Sequence, residues 1–137
     1  MTRTDRVDPI FIERLARYDR LVEVGIGRRV DLAAALVDAG ARVVATDVYD
    51  RAVPEGVTFV RDDVVDPDPS VYADADAIYA QNLPPELHRP TADLAESANA
   101  AFLFTTLGAD QPAIPVERVT IETGSLYVRS RSSGPNR

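Results

Sequence analysis

The chain of 137 residues contains no cysteine and no lysine, and both absences narrow the class of protein. Without cysteine there can be neither a disulfide nor a thiolate metal site. All 15 basic residues are arginines against 22 acidic residues, which gives a net charge of -7. An acidic surface without lysine is typical of proteins adapted to high salt, because screening weakens the self-repulsion of the surface. We therefore expect a halophilic source.

Long apolar runs are also missing. None approaches the roughly 20 residues that a helix needs to cross a bilayer, and no charged-then-apolar leader is visible. We therefore expect a soluble cytoplasmic protein. The acidic balance disfavours a broad nucleic-acid-binding face, because phosphate contacts need clustered cations. The length predicts a single domain at 1–129 and a disordered tail at 130–137.

The most informative stretch is the apolar run 21–24, which ends in Gly25-Ile26-Gly27 and continues directly into a helical pattern at 29–39. Glycines allow a tight turn and a close approach to a ligand, and a helix N-terminus presents free N–H groups. Residues 41–46 follow as a second strand that ends at Asp47. Strand, glycine turn, helix and strand in this order predict a right-handed βαβ unit.

The same alternation continues along the chain, after a leading helix at about 8–18 that Asp8 caps. The inner stripe of the helix at 29–39 is predicted at Val30, Ala33, Ala34 and Val37. The other predicted elements are strands at 57–60, 75–80 and 100–106, a helix at 86–98 interrupted at Pro90, and a hairpin of 116–122 and 125–129 that turns at Thr123-Gly124. Together they predict a Rossmann-like α/β open sheet of about five parallel strands plus a C-terminal antiparallel hairpin.

In such a sheet a ligand binds beyond the carboxyl ends of the strands. Gly25 and Gly27 would let the chain and ribose of an adenosyl ligand come close to the backbone. Asp47 lies about 20 residues further on, where an acid that binds ribose hydroxyls is expected. The remaining predicted contacts are Asp63 to the adenine amino group, Val64 to the adenine ring and Asn82 to the reacting end of the ligand.

The motif Glu23-Val24-Gly25-Ile26-Gly27 resembles the acidic-x-Gly-x-Gly motif of class I S-adenosylmethionine-dependent methyltransferases. The resemblance places Glu23 near the methionine moiety and implies S-adenosylmethionine as cofactor. The stretch 60–64 is similar to that family's third-strand loop, whose acid recognises adenine. Asn82-Leu83-Pro84-Pro85 is similar to the Asn/Asp-Pro-Pro-aromatic motif of amino methyltransferases, with Leu83 inserted and Glu86 in place of the aromatic.

The whole pattern resembles a small archaeal family, uncharacterised protein family number 0146. This resemblance rests on the leading helix, the Glu-Val-Gly-x-Gly motif, Tyr79 and the run 84–87, whereas the resemblance to class I methyltransferases spans about residues 20–129. It implies a truncated class I methyltransferase-like fold and no established activity. No catalytic residue is predicted.

Several of these residues also have an alternative interpretation, in which they stabilise the fold and bind no ligand. Glu23 could instead pair with Arg28 or Arg42, and Asp47 could cap a turn. His88, the only histidine, is predicted at the surface. Tyr72 and Tyr79 are predicted to pack in the core or at its rim. The carboxylates Asp62, Asp63, Asp66 and Asp68 could suggest a cation site, but a solvated loop is favoured and no metal is predicted.

Three functions follow from these patterns. The first is a small methyltransferase whose acceptor the sequence does not name. The second is a non-catalytic methyltransferase-like protein that binds an adenosyl ligand or a partner, including a second copy of this chain in a homodimer. The third is a nucleotide or NAD binder, which Val30 disfavours because it occupies the third glycine position of the dinucleotide fingerprint.

Overall fold

A computed structural model describes residues 7–131 of the chain, and within them it contains seven strands and three α-helices. In chain order these are α1 (Pro9–Leu15), β1 (Arg20–Val24), α2 (Asp31–Asp38), β2 (Arg42–Asp47), β3 (Val57–Arg61), β4 (Ala77–Ala80), α3 (His88–Ala98), β5 (Ala101–Phe104), β6 (Glu117–Ile121) and β7 (Gly124–Arg129). Short 3-10 helices at Pro69–Val71 and Pro85–Leu87 precede β4 and α3.

All seven strands form one sheet in the order β3-β2-β1-β4-β5-β7-β6. Strands β1 to β5 pair in parallel, and β7 joins β5 and β6 antiparallel. The chain moves to one side of β1 for β2 and β3, and to the other side for β4 and β5. This reversal puts the ends of β1 and β4 side by side, where an open α/β sheet forms its ligand crevice. The predicted fold class is confirmed.

Alternating residues of the strands bury two cores, one on each face of the sheet. Leu21 of β1 belongs to the core that α1 and α2 cover, whereas Val22 and Val24 belong to the core beneath α3. Glu23 follows Leu21 by two positions and therefore faces the α1 and α2 side. This alternation explains how a charged residue can lie within an otherwise apolar buried strand. In the described residues, no helix is both long enough and apolar enough to cross a membrane.

Two predicted helix features are wrong. Helix α1 ends at Leu15 rather than near residue 18, because the chain tightens there and Tyr18 N donates to Leu15 O at 3.0 Å before β1 begins. In α2 the buried residues are Leu32, Ala33, Ala35 and Leu36, so Ala33 alone of the predicted stripe is fully buried. The helix is apolar on nearly every side, and the two large leucines determine which face packs inward.

The hairpin exists, but its turn lies one residue earlier than predicted. Ile121 pairs with Gly124, so Glu122 and Thr123 form the two-residue loop and Gly124 begins β7. Pro90 lies in the first turn of α3, which begins afresh at His88 after the 3-10 helix. Proline is tolerated there because first-turn N–H groups have no partner within the helix. Most of the predicted tail, 132–137, lies outside the described residues.

Candidate functional site

The glycine turn after β1 has the backbone conformation that the motif predicts. Gly25 and Gly27 have φ values of 67° and 56°, in the left-handed region that glycine adopts without strain. No atom lies within 4 Å of a Cβ built on Gly25, so the turn borders open space. Among residues 7–131, no atom therefore crowds the Gly25 side of this turn.

Asp47 is the last residue of β2 and lies directly beside that turn. Its Oδ2 accepts a hydrogen bond from Gly27 N at 2.8 Å, and its Oδ1 accepts one from Tyr49 N at 3.0 Å. Arg51 adds an ion pair, with Nε 3.3 Å from Oδ2. The predicted turn cap is thus present, and the carboxylate also lies beside the glycine turn, where the ribose prediction requires it.

Glu23 is completely buried and makes neither of its two predicted ion pairs. Tyr79 Oη donates to its Oε1 and Gln81 Nε2 donates to its Oε2, both at 2.8 Å. Burial raises the pKa of Glu23 from 4.5 to about 7, and the two hydrogen bonds only partly oppose that rise. Pairing with Arg28 or Arg42 is therefore wrong. Gln81 also lines a pocket, so its side chain lies between that pocket and the buried carboxyl.

The loop after β3 lies against the end of β2, because Asp62 N donates to Asp47 O at 3.1 Å. Asp63 accepts from Val65 N at 2.9 Å, and Val64 is buried in the core beneath α3. Asp62 accepts from Tyr72 Oη at 2.6 Å, so its carboxylate serves the fold. Three apolar side chains beside these loops are exposed and were not predicted from the sequence: Val48, Tyr49 and Val65 are 44%, 64% and 66% exposed.

Asn82 follows β4 with φ 52°, a left-handed conformation that is uncommon for residues other than glycine. Its backbone N donates to Thr105 Oγ1 at 2.9 Å. With the amide oriented to satisfy both of its ends, its nitrogen donates to Thr106 O at 3.2 Å and its oxygen accepts from both terminal nitrogens of Arg29. Asn82 thus ties the loop after β4 to the loop after β1.

A pocket of about 750 Å³ opens beside these two loops, and we call it the arginine pocket because Arg28, Arg29 and Arg118 line it. Its walls come from the start of α1, the loops after β1, β4 and β5, and the hairpin of β6 and β7. Asn82 lines it, whereas the other predicted site residues are outside its lining: Glu23, Gly25, Gly27, Asp47, Asp63 and Val64. The predicted ligand loops and the arginine pocket are therefore neighbouring regions that meet at the β1–β4 crevice.

The surface position predicted for His88 is wrong, because the side chain is fully buried. Its Nε2 lies 2.9 Å from Leu83 O, and Ala113 N donates to its Nδ1 at 3.0 Å. Since Nδ1 accepts, Nε2 carries the proton and donates. The ring also packs on Phe104, with centroids 4.5 Å apart. His88 therefore joins the loop after β4 to the loop before β6. Tyr72 and Tyr79 are buried, as predicted.

Several solved structures that are similar to this chain are methyltransferases. An RNA methyltransferase from Salinibacter ruber, in complex with S-adenosyl-L-homocysteine, matches with a TM-score of 0.60 and 17% identity over 88% of this chain and 89% of the other. A 1,6-didemethyltoxoflavin-N1-methyltransferase from Burkholderia thailandensis, with bound S-adenosylhomocysteine, matches with a TM-score of 0.53 and 20% identity over 93% of this chain and 60% of the other. These likenesses establish a class I methyltransferase fold.

Sequence relatives identify the family. A UPF0146 protein of Halobacterium salinarum is 52% identical over 115 residues, which are 83% of this chain and 89% of the relative. This haloarchaeal relative agrees with the halophilic composition. The model of the uncharacterised protein family UPF0146 matches residues 7–132. The chain therefore belongs to the uncharacterised protein family UPF0146.

Proposed function

We propose that the chain binds S-adenosylmethionine at the crevice between β1 and β4 and acts as a small methyltransferase. The observation that carries the proposal is the 2.8 Å hydrogen bond from Gly27 N to Asp47 Oδ2. This hydrogen bond holds the Asp47 carboxylate at the end of β2 against the left-handed glycine turn. A carboxylate that can accept hydrogen bonds from ribose hydroxyls therefore lies beside a backbone that a ligand can approach closely. Arg51 is more exposed than Asp47 in their ion pair, and it can move aside for the ribose.

The other predicted residues extend the site on both sides of Asp47. On the β3 side, Asp63 and Val64 would hold adenine, and the exposed Val48 offers an apolar surface for the ring. On the β4 side, Glu23 would bind the ammonium group of the methionine moiety once Gln81 rotates away. Asn82 would then border the sulfonium methyl group. Each of these assignments is a proposal about ligand contacts.

The chemistry needs few residues. S-adenosylmethionine would supply an activated methyl group, which an acceptor lone pair would take as the carbon–sulfur bond breaks, with the electrons passing to sulfur and the acceptor proton to solvent. Holding the two reactants in line can supply much of the rate enhancement. An obvious catalytic base is therefore not required.

The similarity to the Salinibacter ruber structure supports this proposal. That protein is described as an RNA methyltransferase in complex with S-adenosyl-L-homocysteine, and the match covers 89% of its chain. The similarity therefore includes nearly all of a solved methyltransferase structure rather than one shared subdomain. We also propose a cytoplasmic location, and the predicted homodimer can be checked by light scattering.

Ligand binding without catalysis is the second candidate. The observation that favours it is the engagement of Asn82, whose amide already bonds Arg29 and Thr106 and is not free to contact an acceptor. This alternative predicts the same cofactor affinity but no methyl transfer to any acceptor.

Thermal unfolding at high salt, with S-adenosylmethionine, S-adenosylhomocysteine, NAD and ATP added separately, tests the proposal. A ligand at a hundredfold excess over its Kd stabilises the fold by about 3 kcal/mol, which is easily measured. We expect saturable shifts with the first two compounds and none with NAD or ATP. A shift with NAD alone would favour the dinucleotide interpretation, and no shift with any compound would contradict every adenosyl assignment.

A further inference from the structure

The arginine pocket brings three arginines of an acidic chain together, beside three carboxylates. Arg28 and Arg29 enter it from the glycine turn, and Arg118 enters it from β6 at the edge of the sheet. Within residues 7–131, none of these three guanidinium groups forms an ion pair with a described carboxylate. Arg29 is held by the neutral amide of Asn82. Arg28 and Arg118 therefore have no described carboxylate that would have to be displaced by an anionic ligand.

Carboxylates also line the pocket, and two hydrogen bonds hold the carboxylate of Asp8 in place. Asp8 Oδ1 accepts from Ile10 N at 2.9 Å and caps α1, while its Oδ2 accepts from Thr123 N at 3.1 Å. Asp31 and Asp110 line the pocket as well. Their negative charge would repel a long polyanion that crossed the whole cavity, which favours a small molecule with one anionic group.

Arg118 is the arginine best placed to bind such a group. Its guanidinium lies over the ring of Tyr127, 6.0 Å from the ring centroid, which limits its freedom before any ligand arrives. Ser125 contributes a hydroxyl group to the same pocket, whereas the hydroxyl of Thr123 donates to Asp8 Oδ2 at 3.5 Å. A guanidinium is well suited to a phosphate or carboxylate, because it can donate two parallel hydrogen bonds to either group.

The position of Arg118 separates it from the cofactor end of the crevice. In the sheet order, β6 is four strands from β1, and strands lie about 4.8 Å apart, so the two walls are roughly 19 Å apart at the sheet. Arg29 lies against Asn82 on the β1–β4 side of the pocket, whereas Arg118 is on the opposite wall. Arg118 is therefore available to a second molecule.

We propose that the arginine pocket binds a small polar molecule through a phosphate or carboxylate group held by Arg118, and that this molecule is the methyl acceptor. The assignment as acceptor rests on the proposed function, but the anion site does not. A pocket of about 750 Å³ is the size of a typical small-molecule site.

Calorimetric titrations at constant ionic strength test the proposal with three probes: ribose 5-phosphate, citrate and uncharged ribose. Arg118→Gln removes the proposed anion contact. Arg42→Gln is the matched control, because Arg42 is exposed at the amino end of β2, away from the pocket. We expect the wild type to bind at least one anionic probe but not ribose, and the preferred anion identifies the group. Arg118→Gln should weaken that binding about tenfold or more, as loss of a charge-assisted contact implies. Arg42→Gln should leave it unchanged.

S-adenosylhomocysteine, titrated into the same proteins, separates the two proposals. Unchanged affinity in Arg118→Gln, without competition from the anionic probe, supports a separate acceptor site. If the anion binds through Arg118 but S-adenosylhomocysteine does not bind, the anion site stands and the acceptor assignment fails with the proposed function. The anion site is overturned if neither anion binds or if Arg118→Gln binds like the wild type. The acceptor assignment is overturned if S-adenosylhomocysteine displaces the probe.

Discussion

The Glu23 carboxyl and the Tyr79 hydroxyl form a 2.8 Å hydrogen bond between neighbouring strands, and neither side chain is exposed. The two residues are directly opposite each other in the parallel register of β1 and β4. Burial raises the pKa of Tyr79 well above its usual range, and the Glu23 charge raises it further, so Tyr79 remains a neutral donor. Of the two groups, Glu23 is therefore the one that changes its protonation state near neutral pH.

The pH dependence of stability should reveal the buried carboxyl. The pKa of Glu23 is about 7 in the folded protein and near its ordinary value of 4.5 when unfolded, so the folded state holds the proton more tightly. The resulting stability is complete below about pH 4.5 and is lost as the pH rises through 7. We expect Glu23 to lower the free energy of unfolding by about 3 kcal/mol between these limits.

Glu23→Gln provides the comparison, because glutamine has the same shape and does not titrate. Urea unfolding of both proteins between pH 5 and 8 should show the variant gaining stability relative to the wild type as the pH rises. Parallel curves across this range would contradict the assignment.

Asp47→Asn should weaken S-adenosylhomocysteine binding about tenfold, because it removes the charged acceptor proposed for the ribose hydroxyls. Asp50→Asn is the matched control, since Asp50 is exposed three residues away and loses the same charge. Titration calorimetry should show the control binding like the wild type. A melting curve without ligand checks that Asp47→Asn still folds, and equal affinity in both variants would exclude the ribose role.

His88→Phe should destabilise the fold by about 2 kcal/mol. Phenylalanine can keep the packing against Phe104 but cannot bond Leu83 O or Ala113 N, and unpaired buried polar groups cost about 1–3 kcal/mol each. The midpoint of urea unfolding measures the loss. Arg89→Gln at the exposed neighbouring position should stay within about 0.5 kcal/mol of the wild type. An unchanged midpoint for His88→Phe would show that the two hydrogen bonds contribute little.

Gly56→Ala and Gly40→Ala should differ although both glycines have left-handed φ values, 90° and 100°. A Cβ at Gly56 would lie 2.8 Å from Cγ1 of Val37, whereas no atom lies within 4 Å of one at Gly40. Both variants incur backbone strain, and Gly56→Ala should lose about 1 kcal/mol more through overpacking. Thermal unfolding measures the difference, which Val37→Ala in the same chain should remove. Equal losses would indicate that Val37 moves freely.

The sequence predicted the strand ends that face the crevice, because glycine turns and apolar runs are local signals. The placement of Gly25, Gly27 and Asp47 needed no knowledge of distant contacts. The partner of Glu23 did need such knowledge, because the register between β1 and β4 brings Tyr79 opposite it from 56 residues away. Charge alone suggested an arginine as the partner of Glu23, but its two hydrogen-bond donors are the neutral side chains of Tyr79 and Gln81.

The burial of His88 was also unpredictable from the local sequence. A lone histidine beside two prolines resembles a surface residue, and its burial depends on Phe104 and Ala113, which later elements supply. In α2, apolar residues on every side left the inward face undetermined. The arginine pocket was missed because its walls come from segments far apart in the chain.

The hydrogen bond between Thr123 N and Asp8 joins residues 115 positions apart. It ties the start of α1 to the turn of the hairpin, and both border the arginine pocket. The arginine pocket therefore depends on elements from both ends of the described residues, whereas β1 and β4 lie within residues 20–80. Because contacts between distant segments are slow to form, we expect the pocket wall that carries Arg118 to close last during folding.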